Sequence, residues 1–110
     1  MKTDLSYLET MTEGNKGLIK ELIGIFSTQV KEYGTLMNQY LGEKNWRELS
    51  KLAHKAKSTV AIMGMRELSE ELKQLELDAG LKEKTETYAA LIDRFTMECD
   101  EAVKELQQYK

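Results

Sequence analysis

Apolar residues recur every three or four positions along most of the chain, which is the spacing that one face of an α-helix produces. Residues 15–41 show it most clearly, and similar stripes run through residues 45–63, 65–79 and 84–110. The first of these stripes consists of Leu18, Leu22, Phe26, Val30, Tyr33, Met37 and Tyr40. The pattern therefore predicts four long amphipathic helices.

A shorter stretch, residues 4–11, precedes them and predicts a short helix. Its Ser6 and Glu9 have the spacing of a capping box, and its apolar residues are expected to dock on the larger body: Leu5, Leu8 and Met11.

Glycine and asparagine separate these segments, as expected for residues that end and begin helices. The breaks are expected at residues 13–15, at residues 42–45, at Gly64 and from Gly80 onwards. Amphipathic helices joined by short connections bury their apolar stripes against one another. We therefore expect an all-α fold, an antiparallel up-and-down four-helix bundle with a short additional N-terminal helix, in a single domain over residues 1–110.

Composition excludes several classes of protein. The chain has no proline and only 7 glycines, which argues against a turn-rich β-sandwich or barrel. A single cysteine, Cys99, and a single histidine, His54, exclude an internal disulfide, a multi-cysteine metal site and the two-histidine metal motifs. We therefore expect no metal and no intrinsic cofactor. Cys99 lies in the apolar stripe of the last helix and is interpreted as a packed thiol.

Neither a membrane span nor a secretion signal is evident in the sequence. No apolar run approaches the roughly 18 residues that a membrane-spanning helix needs. The first residues lead into a charged segment and lack an apolar signal-peptide core. The formal net charge of −3 argues against a nucleic-acid partner. We expect a cytoplasmic protein that binds neither nucleic acid nor membrane.

The lone histidine is predicted to face outwards. With about 100° of rotation per residue, His54 falls well over a quarter turn from the apolar stripe of its helix. Its neighbours on the wheel are small or basic: Arg47, Ser50, Lys51, Lys57, Ser58 and Ala61. Residues 44–57 contain five Lys or Arg and one Glu, a local charge of +4. Such a patch suits an anionic group or an acidic partner, although basic residues on a solvated helix face are also common.

Little of the chemistry available to an exposed imidazole fits this chain. A hydrolase would need a second catalytic group and an oxyanion hole, and the residue three before His54 is Lys51, not the Glu that di-iron bundles require. No glycine-rich phosphate loop is present. A phosphoryl carrier fits, because it needs an accessible imidazole and nearby cations on a rigid helix. A surface histidine with no role is the plainer alternative.

Residues 53–65, AHKAKSTVAIMGM, resemble the signature of the histidine-containing phosphotransfer (HPt) family. In this signature the histidine is followed three residues later by lysine and ten residues later by glycine, here His54, Lys57 and Gly64. Leu68, Leu72 and the pair Leu75-Glu76 continue the match. The family usually has glycine directly after the lysine, where this chain has Ser58, which bears on transfer efficiency more than on identity.

The resemblance implies roles for three residues. His54 would be the phosphoacceptor, with the outward ring nitrogen Nε2 attacking, and Lys57 would stabilise the phosphoryl group. Glu76 would hydrogen-bond the other ring nitrogen and orient the imidazole.

Further residues are assigned to the surface around the histidine. Three small residues are expected to form an accessible platform: Ser50, Ser58 and Ala61. Four others are expected to contact the partner: Arg47, Lys51, Lys55 and Ile62. For Ile62, packing in the turn against the next helix is an alternative.

The function that the resemblance implies is that of a phosphorelay intermediate. His54 would accept a phosphoryl group from a receiver-domain aspartyl phosphate, or from a histidine kinase pathway, and pass it to another receiver. The partners would be response-regulator receiver domains or a hybrid histidine kinase, and Mg²⁺ would belong to the receiver. No kinase or phosphatase site of its own is expected, and the chain is expected to be a monomer. The alternative is an HPt-like docking module that binds receivers without carrying phosphate.

Overall fold

The computed structural model describes residues 3–109, which form five α-helices and one 3₁₀ turn. The helices are α1 (Ser6–Met11), α2 (Lys16–Glu43), α3 (Trp46–Ile62), α4 (Arg66–Leu81) and α5 (Tyr88–Leu106), and the 3₁₀ turn is Thr85–Thr87. Residues 3–109 contain no β-strand. The predicted all-α bundle with a short leading helix is confirmed. The ends of the predicted domain, Met1, Lys2 and Lys110, lie outside the described residues.

The four long helices pack in a ring, with α2 against α3 and α5, and α4 against α3 and α5. The α3–α4 pair has the most extensive contact. Inside the ring lies an apolar core whose largest fully buried side chains include Tyr88, Phe95, Met37, Leu49 and Ile92. The indole of Trp46 meets the ring of Tyr88 edge-on, with centroids 5.2 Å apart, and so links the first turns of α3 and α5.

Asparagine side chains begin two of the helices, as the sequence predicts. The Asn15 side chain accepts a hydrogen bond from the Leu18 amide, and that of Asn45 accepts one from the Glu48 amide. The predicted glycine ends of α2 and α4 are wrong by two residues. Lys44 and Lys82 take the left-handed conformation that closes these helices, while Gly42 and Gly80 remain helical.

The apolar stripe of α2 differs from the prediction at its N-terminal end. Leu18 is 41% exposed, and Ile19 and Ile23 are buried instead. Leu18 lies five turns from Leu36, on the side of α2 that faces α3. Because α2 has 28 residues and α3 only 17, the first turns of α2 run past the end of α3 and leave this side uncovered.

The short α1 and the residues before it pack on the end of the bundle that contains the α3–α4 turn. Leu8 is fully buried, whereas Met11 is exposed and does not dock. The Asp4 amide donates to the Met63 carbonyl at 2.9 Å, and the Thr3 hydroxyl donates to the Glu105 carboxylate at 2.6 Å. The segment before α1 therefore bridges the α3–α4 turn and the end of α5.

The predicted capping box of α1 is wrong. Ser6 is the first helical residue, and its amide and hydroxyl both donate to the carboxylate of Asp4, at 2.9 and 2.6 Å. Asp4 therefore supplies the side-chain acceptor at the start of this helix. The two hydrogen bonds also lower the pKa of the Asp4 carboxyl.

Gly64 is required at the α3–α4 turn for two reasons. Its φ is +75°, and a Cβ placed there would lie 2.4 Å from the Asp4 carbonyl oxygen. Gly14 has the same φ of +75°, but a Cβ there would meet nothing within 4 Å. The two glycines share the backbone strain and differ in the steric clash.

We expect Gly64→Ala to destabilise the protein more than Gly14→Ala. The left-handed backbone alone costs about 1–2 kcal/mol for a residue with a Cβ, and both variants incur it. In Gly64→Ala the segment at Asp4 must also move, which we expect to add at least about 1 kcal/mol. Urea unfolding followed by circular dichroism measures both values. Equal losses in the two variants would contradict the close approach of Asp4 to the turn.

Candidate functional site

Helices α3 and α4 bring three chemically active side chains together on the surface of the bundle. The Nδ1 atom of His54 lies 2.9 Å from Oε2 of Glu76, and Nζ of Lys57 donates to Oε1 of Glu76 at 3.0 Å. His54 and Lys57 are three residues apart on α3, so they share one helix face, and Glu76 reaches them from α4. One carboxylate thus serves two partners, one on each oxygen.

The three side chains differ in their exposure. The His54 side chain is 62% exposed, whereas those of Lys57 and Glu76 are 25% and 26% exposed. An ionised carboxylate only accepts hydrogen bonds, so the contact with Glu76 favours the imidazole tautomer that carries its proton on Nδ1. In the neutral ring this arrangement leaves the lone pair on Nε2.

The local environment keeps Glu76 ionised. Partial burial by itself would raise the pKa of the Glu76 carboxyl, but the hydrogen bonds from Lys57 and His54, with their charges, outweigh it and lower the pKa below its ordinary value. The acceptor that orients the imidazole is therefore present at neutral pH.

The backbones of α3 and α4 are joined on both sides of this cluster. The Ser50 hydroxyl donates to the Glu76 carbonyl at 2.8 Å, and the Ser69 hydroxyl donates to the Lys57 carbonyl at 3.2 Å. Ser50 therefore differs from the open platform predicted for it: it is partly buried and its hydroxyl is engaged. The cause is the close approach of α4, whose Glu76 carbonyl accepts from the Ser50 hydroxyl and whose Gly80 faces it.

The other residues singled out in the sequence lie around His54. Ser58 and Ala61 of the predicted platform are exposed, as are the four residues assigned to partner contact: Arg47, Lys51, Lys55 and Ile62. Ile62 is 39% exposed, and Lys51 lies 3.6 Å from the Glu48 carboxylate. The structure thus places these residues on the surface, and their roles stay predictions.

A groove of about 560 Å³ adjoins His54 and includes residues that sequence reasoning missed. Leu36 and Tyr40 of α2 form one wall, and Leu52 and Lys55 of α3 are among its other lining residues. The sequence placed Tyr40 in the core stripe and did not single out Leu36. The sequence does contain a signal for this wall: Leu36 and Tyr40 are four residues apart, which places both on the side of α2 that faces α3.

Three further properties bear on the chemistry of the site. Within residues 3–109 no group of three or more His, Cys, Asp or Glu side chains is arranged to hold a metal ion. None of the described helices is long and apolar enough to cross a membrane. Cys99 is buried, and desolvation together with the charges of Asp100 and Glu98 raises the pKa of its thiol to about 12, so it stays protonated.

Comparison with known proteins identifies the family. The family model described as the Hpt domain matches residues 21–109. The chain belongs to the Hpt domain family. The phosphorelay intermediate protein YPD1 of Candida albicans (strain SC5314) is 32% identical to this Hpt chain over 71 residues. That segment covers 64% of this chain and 39% of the relative, so the match spans well under half of the relative's length. No solved structure matches the chain.

The lowered pKa of Glu76 predicts a pH-dependent contribution to stability in this Hpt domain. Because the folded-state pKa lies below the unfolded one, the stabilisation is complete above the ordinary carboxyl pKa and is lost as the pH falls through the folded value. We expect the stability of the wild type relative to Glu76→Gln to decrease from about pH 7 to pH 3. Since Glu76 is partly exposed, the change should stay within about 1 kcal/mol.

Glu71→Gln is the matched control, and for it we expect a pH dependence of stability with the opposite sign. Burial raises the pKa of the Glu71 carboxyl despite its pairing with Arg94. Ionisation of Glu71 therefore disfavours folding once the pH rises above the ordinary carboxyl pKa. The wild type should gain stability relative to Glu71→Gln on acidification. Urea unfolding at a series of pH values measures both differences. The same pH slope for both pairs would contradict this assignment of the two carboxylates.

Proposed function

We propose that this chain is a phosphorelay intermediate of two-component signalling, with His54 as the phosphoacceptor. The observation that carries the proposal is the exposed imidazole of His54, whose Nδ1 is held by Glu76. Membership of the Hpt domain family and the similarity to a phosphorelay intermediate protein support it. The donor would be the aspartyl phosphate of a receiver domain, and the acceptor the aspartate of another receiver.

The transfer step is a displacement at phosphorus. The lone pair on Nε2 of His54 forms the N–P bond, the acyl phosphate P–O bond breaks, and the receiver aspartate leaves as a carboxylate. The proton on Nδ1 stays in place, hydrogen-bonded to Glu76. In the second half of the relay an aspartate of the next receiver attacks phosphorus, and the N–P electron pair returns to Nε2.

Lys57 is the cation best placed to stabilise the transferred group. It lies one turn from His54 and is held by Glu76 before transfer. An ammonium beside the phosphoryl oxygens balances their charge without forming a covalent bond. This chain supplies a positioned nucleophile and one cation, and the receiver supplies Mg²⁺ and the acidic pocket. It therefore acts as a carrier, without a kinase or phosphatase site of its own.

The partner surface that we propose surrounds His54. Arg47, Lys51 and Lys55 give it a positive charge that suits the acidic pocket of a receiver and speeds encounter. The groove walled by Leu36 and Tyr40 adds apolar area beside the imidazole. Ser58, Ala61 and Ile62 extend this surface along α3. We place this activity in the cytoplasm and assign it to a monomer.

Transfer from receivers to His54 tests the function directly. The chain is incubated with Mg²⁺ and a panel of phosphorylated receiver domains, and its intact mass is measured at neutral to basic pH, because phosphohistidine is acid-labile. We expect one added phosphoryl group, and none in His54→Gln. Binding of a receiver without label would instead favour the docking module. The addition of a phosphoryl group to His54→Gln would contradict the assignment of the acceptor.

We expect Lys57→Met to slow transfer to His54 by about 10- to 100-fold, the range expected when one charge-assisted hydrogen bond to the reacting group is lost. Single-turnover transfer from a phosphorylated receiver measures the rate. Lys104→Met is the control: it makes the same change of side chain at a groove between α2 and α5 that contains none of the residues of the His54 site. Equal rates for the two variants would exclude Lys57 from the reaction.

A further inference from the structure

Two serines join the backbones of α3 and α4 at the residues whose side chains form the His54 site. Ser50 donates to the carbonyl of Glu76, and Ser69 donates to the carbonyl of Lys57. Each bond therefore runs from one helix to the main chain of a site residue on the other. Ser50 lies one turn before His54 on α3, and Lys57 lies almost one turn after it, so the two bonds flank the imidazole.

These bonds differ from those that serine and threonine ordinarily make inside helices. Such hydroxyls commonly donate to the carbonyl four residues earlier in their own helix. Ser27 and Thr59 do this, donating to the carbonyls of Ile23 and Lys55. A bond within one helix does not position a second helix. The bonds of Ser50 and Ser69 do, because the donor and the acceptor belong to different helices.

Both hydroxyls are accommodated by the local packing. A helical carbonyl has a second lone pair and can accept the serine as well as its own helical amide. At Ser50 the facing residue of α4 is Gly80, where an added Cβ would lie 3.4 Å from the serine oxygen. This is an ordinary van der Waals distance, and the two helices lie close enough here for the 2.8 Å bond between Ser50 and Glu76.

We propose that Ser50 and Ser69 are positioning residues that set the register of α3 against α4 and thereby hold the Glu76 carboxylate on both His54 and Lys57. Contacts of 2.9 and 3.0 Å tolerate little displacement, because N–H···O hydrogen bonds have donor–acceptor distances of about 2.7–3.2 Å. A small slide of α4 would lengthen both contacts together. This inference rests on the proposed function only for its kinetic consequence.

The ring nitrogens of His54 provide a direct test of position. His54 is the only histidine in the chain, so its imidazole signals are unambiguous in a ¹⁵N-labelled sample. In the double variant Ser50→Ala/Ser69→Ala we expect a smaller fraction of the tautomer that carries its proton on Nδ1. The ¹⁵N chemical shifts of both ring nitrogens should therefore move towards those of Glu76→Ala. Ser27→Ala is the matched control, because it removes a hydroxyl that bonds within one helix.

The kinetic arm uses phosphoramidate, a small phosphoryl donor that needs no receiver. We expect the double variant to take up the phosphoryl group about tenfold more slowly than Ser27→Ala, since small displacements of a reacting group cost rate. The conservative variant Ser69→Thr, with Ser50 retained, should keep the wild-type rate. In the Glu76→Ala background the serine changes should have no further effect on the ring nitrogens, because there is no carboxylate left to position.

The possible results separate the inference from the proposed function. Ring-nitrogen shifts in the double variant equal to those of Ser27→Ala would overturn the positioning role, even with reduced thermal stability. The positioning role would also be overturned if the serine changes moved the ring-nitrogen signals as much in the Glu76→Ala background as they do when Glu76 is present. If the wild type takes no phosphoryl group from phosphoramidate or receivers, the proposed function fails, and the ring-nitrogen comparison still decides the positioning role.

Discussion

The site depends on the carboxylate of Glu76, which binds His54 through one oxygen and Lys57 through the other. A carboxylate suits this position because it has acceptors on both oxygens and no donor. An amide in its place would have one oxygen for two donors, and its NH₂ group would face either the imidazole or the ammonium. The tautomer of His54 and the position of Lys57 are therefore coupled through a single side chain.

This coupling requires two helices in a defined register. His54 and Lys57 lie on one face of α3, but the acid that serves both comes from α4, so the site exists only when these helices are packed. The bundle meets this need with its most extensive helix–helix contact and with Gly64 in the tight turn that joins the pair. The segment before α1 in turn packs against Gly64 through Asp4. The residues before α1 thus restrain the turn that joins α3 to α4.

Much of this arrangement is predictable from the sequence because it depends on periodicity and local chemistry. The apolar stripes predict the helices, Asn15 and Asn45 mark two helix starts, and the helical wheel turns His54 outwards. Features that depend on the length of a neighbouring helix are not predictable in this way. Leu18 fits the stripe of α2 but is exposed, because α3 ends before reaching it.

Ser50 shows the same limit at the site itself. On its own helix it is a small polar residue beside His54, which suggests an open surface, and only the approach of α4 turns it into a bond to Glu76. Nothing in the sequence indicates the role of Ser69, because its acceptor is a backbone carbonyl on another helix. The caps of Asn15 and Asn45 on their own helices are predictable from the sequence, whereas side chains that act on a neighbouring backbone require the packed structure.

The pairing of Lys57 with Glu76 also bears on how, under the proposed function, one site would both receive and release a phosphoryl group. Before transfer the ammonium is neutralised by the carboxylate, so no unpaired cation is left half-buried beside the imidazole. A phosphoryl group on Nε2 would offer Lys57 a second anion within the same turn of α3. Because Glu76 would still accept from Nδ1, the lysine can share or exchange partners without disturbing the ring. Under the proposed function, a similar affinity of Lys57 for the two anions would let the phosphoryl group both arrive at His54 and leave it.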